Sequence, residues 1–569
     1  MYTAAIQKIP RHYLPKDFIV TNWETLEPFF KELVERNIDT PASMEQWLKD
    51  QSELEAVVSE DACWRQIKMT CDTENKELEA AFNFYCMEIQ PKIQPYADAL
   101  NKKLINHPLA KELDGEKYFT YLRTIGKSIE LFRGENIPIQ AELAVMQQHF
   151  GVITGKMTVT IEGQEYTLQQ AAKFLESHDR SLREEAYRKI QDRRLEDKEE
   201  LNTLFNDLVK KRHQLAINAG FSNYRDFRFK ELGRFDYTKE DCFAFHDAVK
   251  THVLPLVNII YQKKKEKLGL DSLRPWDVEA EPAGTEPLRP FKTSEELISK
   301  SIECFNKLRP FFGDCLAKMN EMKHLDLESR IGKAPGGYNC PLAESGAPFI
   351  FMNAAGQMQD LTTMVHEGGH AVHSFLAHPL ELTGFKEYPM EIAEVASMAM
   401  ELFTMEHWDV YFDDKEQLAR AKEYQLERAI TIFPWIAIVD KFQHWLYENP
   451  EHTPAQRTTA WNSILSEFSD NVIDYSGLEE YRSNLWQRQL HLFEVPFYYI
   501  EYGIAQLGAI GMWMQFKNDR EKALDNYCTA LSLGATKTLP HLFEAAGLKF
   551  DFSSGQIKKL MDFVKSEMG

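Results

Sequence analysis

Apolar and polar positions follow a helical period over most of the chain. From Trp23 to about Leu104 the apolar residues recur at three- and four-residue spacing, as in NWETLEPFFKELVERN. Residues 169–269 continue with long charged amphipathic stretches, one of which ends at Gly220, a residue suited to cap a helix. Because this spacing puts apolar side chains on one face of a helix, it predicts a mainly α protein.

A few segments depart from the helical pattern. Residues 150–168, FGVITGKMTVTIEGQEYTL, alternate in polarity and contain turn-type glycines, which predicts a short hairpin. The proline-dense stretch 274–290 cannot be a regular helix and indicates a loop or a lobe boundary. Residues 347–353 read as a short strand just before the next helix. As an edge strand, this segment could pair with an extended peptide; an ordinary buried strand is the alternative.

Composition and charge narrow the possible functions. The longest apolar candidate, Ile430 to Val439, is far shorter than the run of about 18 residues that spans a bilayer. The first residues are charged and contain proline, unlike a secretory signal, so we expect a cytoplasmic protein without a membrane span. A formal net charge of -21 argues against a nucleic-acid partner. Eight cysteines without a CxxC pair suggest neither a thiolate metal site nor a disulfide framework.

Residues 361–373, LTTMVHEGGHAVH, carry the strongest chemical signal. They contain the HExxH pattern, in which His366 and His370 lie one helical turn apart and can both reach one tetrahedral metal. Glu367 lies about 100° further round the helix, where a carboxylate can accept a proton from water that the metal activates. The alternative is a chance pattern with two solvent-facing histidines.

The residues around the pattern argue against chance. Val365 and Ala371 indicate a mostly buried helix, and buried polar groups need partners, which a metal would supply. Gly368 and Gly369 each cost a helix about 1 kcal/mol relative to alanine. We therefore expect another element or a substrate to approach the backbone closely at these glycines.

A third metal ligand is expected in the segment EYPMEIAEVASMAMEL, residues 387–402. Its candidates are Glu391, Glu394 and Glu401. Glu394 is preferred because its apolar neighbours bury it, and Glu391, one turn earlier, is the candidate for orienting the site. His373 shares the face of the other histidines, but three histidines on one straight helix cannot all close on one ion, so we expect it to pack rather than to bind metal.

These motifs together resemble those of a known family. HEGGHAVH followed by EIAEVASMAMEL resembles the signature of the thimet oligopeptidase and oligoendopeptidase F family of zinc metallopeptidases. The segments KAPGGYNC (333–340) and LWQRQLHLFEVPFYYIEYGIAQLGA (485–509) resemble its Pz-peptidase-like branch. By motif, the resemblance covers about 330–510. It implies a mainly α, two-lobed helical ellipsoid with a deep channel that admits unstructured oligopeptides, and a small β element beside the HExxH helix.

The resemblance also implies site residues. It implies one Zn²⁺ per chain, held by His366, His370 and Glu394, with Glu367 as the catalytic base. It further implies a histidine and tyrosines that close on the scissile carbonyl; in this sequence they are His491, Tyr498 and Tyr502.

The spacing of His491, Tyr498 and Tyr502 has its own geometric consequence. On a continuous helix these residues would fall within about 40° of one another and form one stripe, with Tyr499 about 80° from His491 as a weaker candidate. Pro496 can interrupt such a helix and change the phase between His491 and the tyrosines. An ordinary aromatic core is the alternative.

The predicted function is a zinc-dependent gluzincin endopeptidase that cuts short unstructured oligopeptides. One alternative is a helical zinc carboxypeptidase, which must recognise a free C-terminal carboxylate and for which Arg482 and Arg488 are candidates. The alternative from another class is a non-catalytic peptide-binding scaffold. The sequence leaves the oligomeric state open.

A chain of 569 residues exceeds the size of one hydrophobic core, so several regions are expected. We predict an N-terminal helical lobe over 1–115 and a helical middle region with the hairpin over 116–330. The zinc-binding catalytic region is predicted over 331–569, packed against the preceding helices.

Overall fold

The chain folds almost entirely into helices. A computed structural model describes residue 4 and residues 10–113, 115–469 and 471–568. Helices account for 70% of the structure and strands for 4%, so the expected mainly α class is confirmed. None of the described helices combines the length and the apolar character needed to cross a membrane.

The first three helices of the chain begin at residues whose side chains cap the backbone. Asn22 accepts a hydrogen bond from the backbone N–H of Thr25 at 3.1 Å, and Thr40 forms a reciprocal capping box with Ser43. The N-terminal helices are α1 (Trp23–Glu35), α2 (Pro41–Cys71), α3 (Lys76–Phe84), α4 (Gln90–Asn106), α5 (Gly115–Leu131) and α6 (Asn136–Gly155), with a π turn at Tyr85–Ile89 and a 3₁₀ turn at Pro108–Glu112.

A hairpin opens the middle of the chain. Strands β1 (Thr158–Ile161) and β2 (Gln164–Thr167) pair antiparallel through a turn at Glu162 and Gly163, which both have positive φ. The predicted hairpin is thus confirmed, although residues 150–155 end α6 instead. The helices that follow are α7 (Leu168–Ala171), α8 (Arg180–Glu196), α9 (Lys198–Asn218), α10 (Tyr224–Glu231), α11 (Lys239–Ala248), α12 (Leu254–Lys267), α13 (Ser294–Leu308) and α14 (Pro310–Glu321), with short turns at Ala172–Glu176, Val249–Val253 and Pro275–Asp277.

A small three-stranded sheet precedes the HExxH helix. Strand β5 (Phe349–Ala354) lies in the centre, parallel to β3 (Leu325–Glu328) and antiparallel to β4 (Tyr338–Cys340). The expectation of an edge strand at 347–353 is therefore wrong. The continuous apolar run of β5 is typical of a strand buried on both faces, and its backbone is already paired on both sides.

The remaining helices begin with the HExxH helix, α15. They are α15 (Met358–Ala377), α16 (Met390–Thr404), α17 (Lys415–Glu448), α18 (Pro454–Glu467), α19 (Glu479–Ser483), α20 (Leu490–Glu494), α21 (Tyr499–Asn518), α22 (Arg520–Ser532), α23 (Leu539–Ala545) and α24 (Ser554–Glu567), with 3₁₀ turns at Thr383–Phe385, Met405–Val410 and Leu485–Arg488. A Cβ added at Gly369 would lie 2.6 Å from the carbonyl oxygen of Ala396 on α16, and one at Gly368 would lie 2.6 Å from the ring of Phe305. The two glycines of HEGGH therefore allow the close approach of neighbouring elements that the sequence predicted.

Two large hydrophobic cores hold the helices. The smaller core gathers buried side chains of α1 to α5 and is joined by Leu382 and Phe385, which follow α15. The larger core extends from the end of α5 to α24 and surrounds α15, α16 and α21. The helices that carry the HExxH pattern, the candidate glutamates and the downstream tyrosines thus lie in its interior.

Candidate active site

One cavity contains the side chains that the sequence singled out. Its volume is about 650 Å³, and its walls come from α2, α6, α8, β4, α15, α16 and the segment 481–502. The predicted site residues that line it are His366, Glu367, His370, Glu394, His491, Tyr498 and Tyr502. The fold thus brings together residues that are far apart in the sequence.

The three candidate metal ligands meet at one point of this cavity. Oε2 of Glu394, on α16, lies 3.3 Å from Nε2 of His366 and 3.5 Å from Nε2 of His370, both on α15. A tetrahedral zinc ion with ligands at about 2.0–2.1 Å needs donor atoms roughly 3.3 Å apart. The nitrogen and oxygen donors of this group therefore have the spacing and the chemistry that zinc requires.

A neighbouring carboxylate orients His366. Nδ1 of His366 donates a hydrogen bond to Oε1 of Glu401 at 2.7 Å, and Oε2 of Glu401 accepts one from Nε2 of Gln425 at 2.7 Å. With the proton held on Nδ1, the lone pair of Nε2 is free for a cation. Sequence reasoning considered Glu401 only as a ligand and did not find this contact.

The assignment of the orienting role to Glu391 is wrong. Glu391 is buried and accepts a hydrogen bond from the hydroxyl of Tyr237 at 2.7 Å. The helical period gives the reason. Glu401 follows Glu394 by seven residues and lies about 20° from it around α16, whereas Glu391 lies about 60° away.

Glu367 is a buried carboxylate beside the ligand group. Only 5% of the residue is exposed, and its Oε2 has no hydrogen-bond partner among the described residues. Burial raises the pKa of its carboxyl group. A buried carboxylate oxygen without a partner is costly, so the site calls for a polar molecule such as water at this atom.

The segment after α19 brings His491 and the tyrosines together by a break in the helix. Helix α20 ends before Pro496, Phe497 has a positive φ of 66°, and α21 begins only afterwards. The stripe expected on a continuous helix is therefore wrong, and the interruption at Pro496 is confirmed. The ring centroids still converge, with 5.2 Å between Tyr498 and Tyr502, and with His491 5.7 Å from Tyr498 and 5.5 Å from Tyr502.

These three side chains are neutral donors or acceptors. The hydroxyl of Tyr498 donates a hydrogen bond to Oε1 of Glu394. The hydroxyl oxygen of Tyr502 lies 3.1 Å from Nε2 of His491. Burial raises the pKa of both phenols well above its ordinary value and lowers the pKa of His491 to about 4. At neutral pH the phenols therefore keep their protons and the imidazole is uncharged.

Gln489 fixes the orientation of His491. Its Nε2 donates to Nδ1 of His491 at 2.7 Å, while its Oε1 accepts from Nε1 of Trp435 at 3.0 Å and from the hydroxyl of Tyr499 at 3.1 Å. Two donors on Oε1 set the amide, so Nδ1 accepts and Nε2–H points to Tyr502. Tyr499 therefore holds Gln489 and does not line the cavity. No sequence signal marked Gln489, because its partner Trp435 comes from α17.

His373 packs, as its sequence context predicted. Only 1% of its surface is exposed, and its ring stacks on Tyr388 with centroids 3.5 Å apart. Neither ring nitrogen has a hydrogen-bond partner among the described residues. Burial lowers its pKa well below its ordinary value. His373 does not line the cavity and is not among the three side chains whose donor atoms converge.

Another group of potential donors lies in the core. Cys242, Asp440 and His444 are fully buried, and Asp440 pairs with Nε2 of His246 at 2.8 Å. None of these residues lines the cavity. The group therefore lacks access to a peptide and has no place in the candidate active site.

Comparison with known proteins decides the family. The model of "Peptidase family M3" matches residues 173–562, and that of the "Peptidase M3 N-terminal domain" matches residues 16–132. The chain belongs to peptidase family M3. The family inferred from the sequence motifs is thereby confirmed, and M3 is a zinc-dependent peptidase family.

Individual relatives agree with this membership. Oligopeptidase PepF of Bacillus subtilis is 25% identical over 69% of this chain and 59% of its own length. An oligoendopeptidase F homolog of Borreliella burgdorferi is 23% identical over 64% of this chain and 61% of its own. The chain thus spans less than two thirds of these curated relatives. A structure of Pz peptidase A with an inhibitor superimposes with a TM-score of 0.92 at 26% identity, covering 96% of this chain and 97% of that chain.

Proposed function

We propose that this M3 family member is a zinc-dependent endopeptidase that hydrolyses peptide bonds of short, unstructured oligopeptides. The observation that carries the proposal is the spacing of His366, His370 and Glu394, with Nε2–Oε2 distances of 3.3 and 3.5 Å, beside the unpartnered carboxylate oxygen of Glu367. Family membership and the structural similarity to Pz peptidase A support it.

The proposed mechanism gives each side chain one task. His366, His370 and Glu394 would hold one Zn²⁺, which when bound supplies a Lewis acid for water and for the scissile carbonyl. Glu367 accepts a proton from the attacking water and later delivers it to the leaving amine. The hydroxyl of Tyr502 donates a hydrogen bond to the oxyanion of the tetrahedral intermediate, and the hydroxyl of Tyr498 does so by exchanging its bond to Oε1 of Glu394 for one to the oxyanion.

The substrate backbone is proposed to pair with β4. Tyr338 and Asn339 of this strand line the cavity, and in the described sheet β4 pairs only with β5, which leaves its other edge available. Nδ2 of Asn339 donates to the backbone oxygen of Glu367 at 3.3 Å, which ties this edge to the catalytic helix. An extended peptide added to β4 would lie beside the zinc ligands, and a folded protein could not present such a strand.

The carboxypeptidase alternative has partial support. Arg482 donates to Ser469 and does not line the cavity, whereas Arg488 does line it. Cleavage of a peptide whose C-terminus is blocked distinguishes the two activities, since an endopeptidase still cuts it. Mass spectrometry of the products then identifies the bond that is broken.

Removal of the metal is expected to abolish cleavage, and added zinc to restore it, because the attacking water depends on the metal for its acidity. The measurement is hydrolysis of a fluorogenic oligopeptide by protein dialysed against a chelator, with metal content determined by mass spectrometry. Protein taken through the same dialysis without chelator is the control. Full activity in zinc-free protein would refute the proposal.

Tyr498→Phe and Tyr502→Phe are each expected to lower kcat by about 10²- to 10³-fold, because each loses one donor to the oxyanion. KM should change little in both variants, and zinc content should change little in Tyr502→Phe. Tyr498→Phe also loses its hydrogen bond to the ligand candidate Glu394, so its kcat is measured at full zinc occupancy. Tyr499→Phe is the matched control, since Tyr499 does not line the cavity and Trp435 still donates to the amide oxygen of Gln489 that Tyr499 contacts. A folded variant of Tyr498 or Tyr502 with normal kcat would assign that tyrosine to the core instead.

A further inference from the structure

Two arginines line the cavity without a hydrogen-bond or ion-pair partner among the described residues. Arg194, on α8, and Arg488, just before α20, line the same cavity as His366 and Glu367. Within the described residues, neither guanidinium forms a hydrogen bond or an ion pair. By contrast, Nη1 of Arg193, the neighbour of Arg194, pairs with Oδ2 of Asp197 at 2.5 Å and does not line the cavity. Arg194 is half-buried and Arg488 is exposed to solvent. A single unpaired arginine on an open surface is ordinary, but two that line one cavity beside the catalytic candidates are placed to meet its ligand.

The electrostatic environment of Arg194 is unfavourable without an anion. Desolvation, together with the nearby charge of Arg488, lowers the pKa of Arg194 to about 10. Arg194 is the desolvated member of the pair, whereas Arg488 is exposed to solvent. The cost to Arg194 falls when a negative group binds between or beside the two like charges. The pair is therefore better suited to a bound anion than to an empty cavity.

Packing leaves the donors of Arg488 available. Its guanidinium carbon lies 4.7 Å from the ring centroid of Trp435, so the aromatic face supports the side chain without using its N–H groups. Trp435 also donates to Gln489, which holds His491. The indole of Trp435 thus contacts Arg488 directly and orients His491 through Gln489.

Carboxylate is the anion that fits these donors. A planar guanidinium matches the two oxygens of a carboxylate, and two guanidinium groups offer several charge-assisted hydrogen bonds. The whole chain has a formal net charge of -21, and the cavity also contains Glu367 and Glu394. The negative electrostatic potential of the chain and of these two glutamates therefore disfavours acidic ligands. Any preference for a carboxylate must come from a local positive site.

We propose that Arg194 and Arg488 form a carboxylate-binding subsite of the cavity, which holds an anionic group of the oligopeptide while a peptide bond is cut. An oligopeptide brings such a group either as its C-terminal carboxylate or as the side chain of aspartate or glutamate. The inference rests on the proposed peptidase function and adds a determinant of substrate choice to it.

The test compares peptides that differ only in charge. One peptide without acidic side chains is made in two forms, with a free C-terminal carboxylate and with a C-terminal amide. In a further series, each peptide has the C-terminal amide and a single aspartate, which is moved along the sequence. For the wild-type protein, at least one carboxylate-bearing peptide should have a kcat/KM at least about tenfold above the neutral amide, mainly through KM. The position of the preferred carboxylate identifies its source.

Substitution should remove this preference. In Arg194→Gln, the ratio of kcat/KM between the preferred peptide and the neutral amide is expected to fall toward one. Arg488→Gln should act in the same direction, and Arg488→Lys should recover part of the ratio because it keeps the charge. Arg193→Gln is the matched control and should keep the wild-type ratio, since Arg193 is paired with Asp197 outside the cavity.

A binding measurement separates recognition from turnover. Calorimetric titration of the preferred peptide and its amide into Glu367→Gln protein should show the same preference, and Arg194→Gln in that background should abolish it. The proposal is overturned if the wild-type protein treats charged and neutral peptides alike, or if the preference survives in the Arg194→Gln, Arg488→Gln double variant. Absence of cleavage of every peptide would instead refute the peptidase function itself.

Discussion

Glu367→Gln is expected to keep its zinc and to lose about 10²- to 10⁴-fold in kcat. The amide is nearly isosteric with the carboxylate but cannot accept the proton of the attacking water. Among the described residues Oε2 of Glu367 has no hydrogen-bond partner, so the substitution breaks no such bond at that atom. Steady-state kinetics and metal analysis of the same preparation give both quantities.

Glu494→Gln provides a matched control for this prediction. Glu494 also lines the cavity, and burial raises its pKa to about 8, so its side chain is mostly protonated at neutral pH. Glutamine resembles that protonated form, and kcat should remain close to the wild-type value. Loss of zinc from Glu367→Gln would make Glu367 a ligand, and normal turnover would exclude it as the base.

The parts of the site that the sequence predicted depend on local geometry. His366 and His370 are one turn apart on any α-helix, so their convergence follows as soon as the segment is helical. The adjacent Gly368 and Gly369 likewise indicated a close neighbour, which proved to be Ala396 of α16 and Phe305. Within a single helix, spacing and residue type are enough.

The parts that the sequence did not predict depend on how separate elements meet. The choice between Glu391 and Glu401 as the partner of His366 requires the rotation of α16 relative to α15, which no local pattern specifies. The role of Gln489 requires Trp435 from α17. An isolated apolar strand such as β5 likewise does not reveal how many neighbours it pairs with.

The break before α21 explains why a helical projection failed for the tyrosines. Pro496 lacks a backbone N–H, and Phe497 adopts a positive φ of 66°, so the phase of α20 is not carried into α21. The rings of His491 and Tyr502 meet through this turn rather than along one helical face. Sequence could locate the interruption but not the direction in which the chain continues.

Glu394→Ala is expected to lower zinc occupancy far more than any other single carboxylate substitution in α16. Its Oε2 is the oxygen that lies 3.3 and 3.5 Å from the two imidazole nitrogens, and without it two ligands remain. Glu401→Ala should weaken zinc binding by about 10- to 100-fold, because it removes only the acceptor that orients His366. Competition with a chromophoric chelator measures both affinities.

Glu391→Ala is the comparison that makes this order informative. Glu391 is buried on the same helix, but its contact is with the hydroxyl of Tyr237, so its removal should reduce thermal stability and leave zinc affinity near the wild-type value. Differential scanning fluorimetry beside the zinc titration separates the two effects. Weaker zinc binding in Glu391→Ala than in Glu401→Ala would return the orienting role to Glu391. Full zinc occupancy in Glu394→Ala would require a different third ligand, and Glu401 is the carboxylate already in contact with His366.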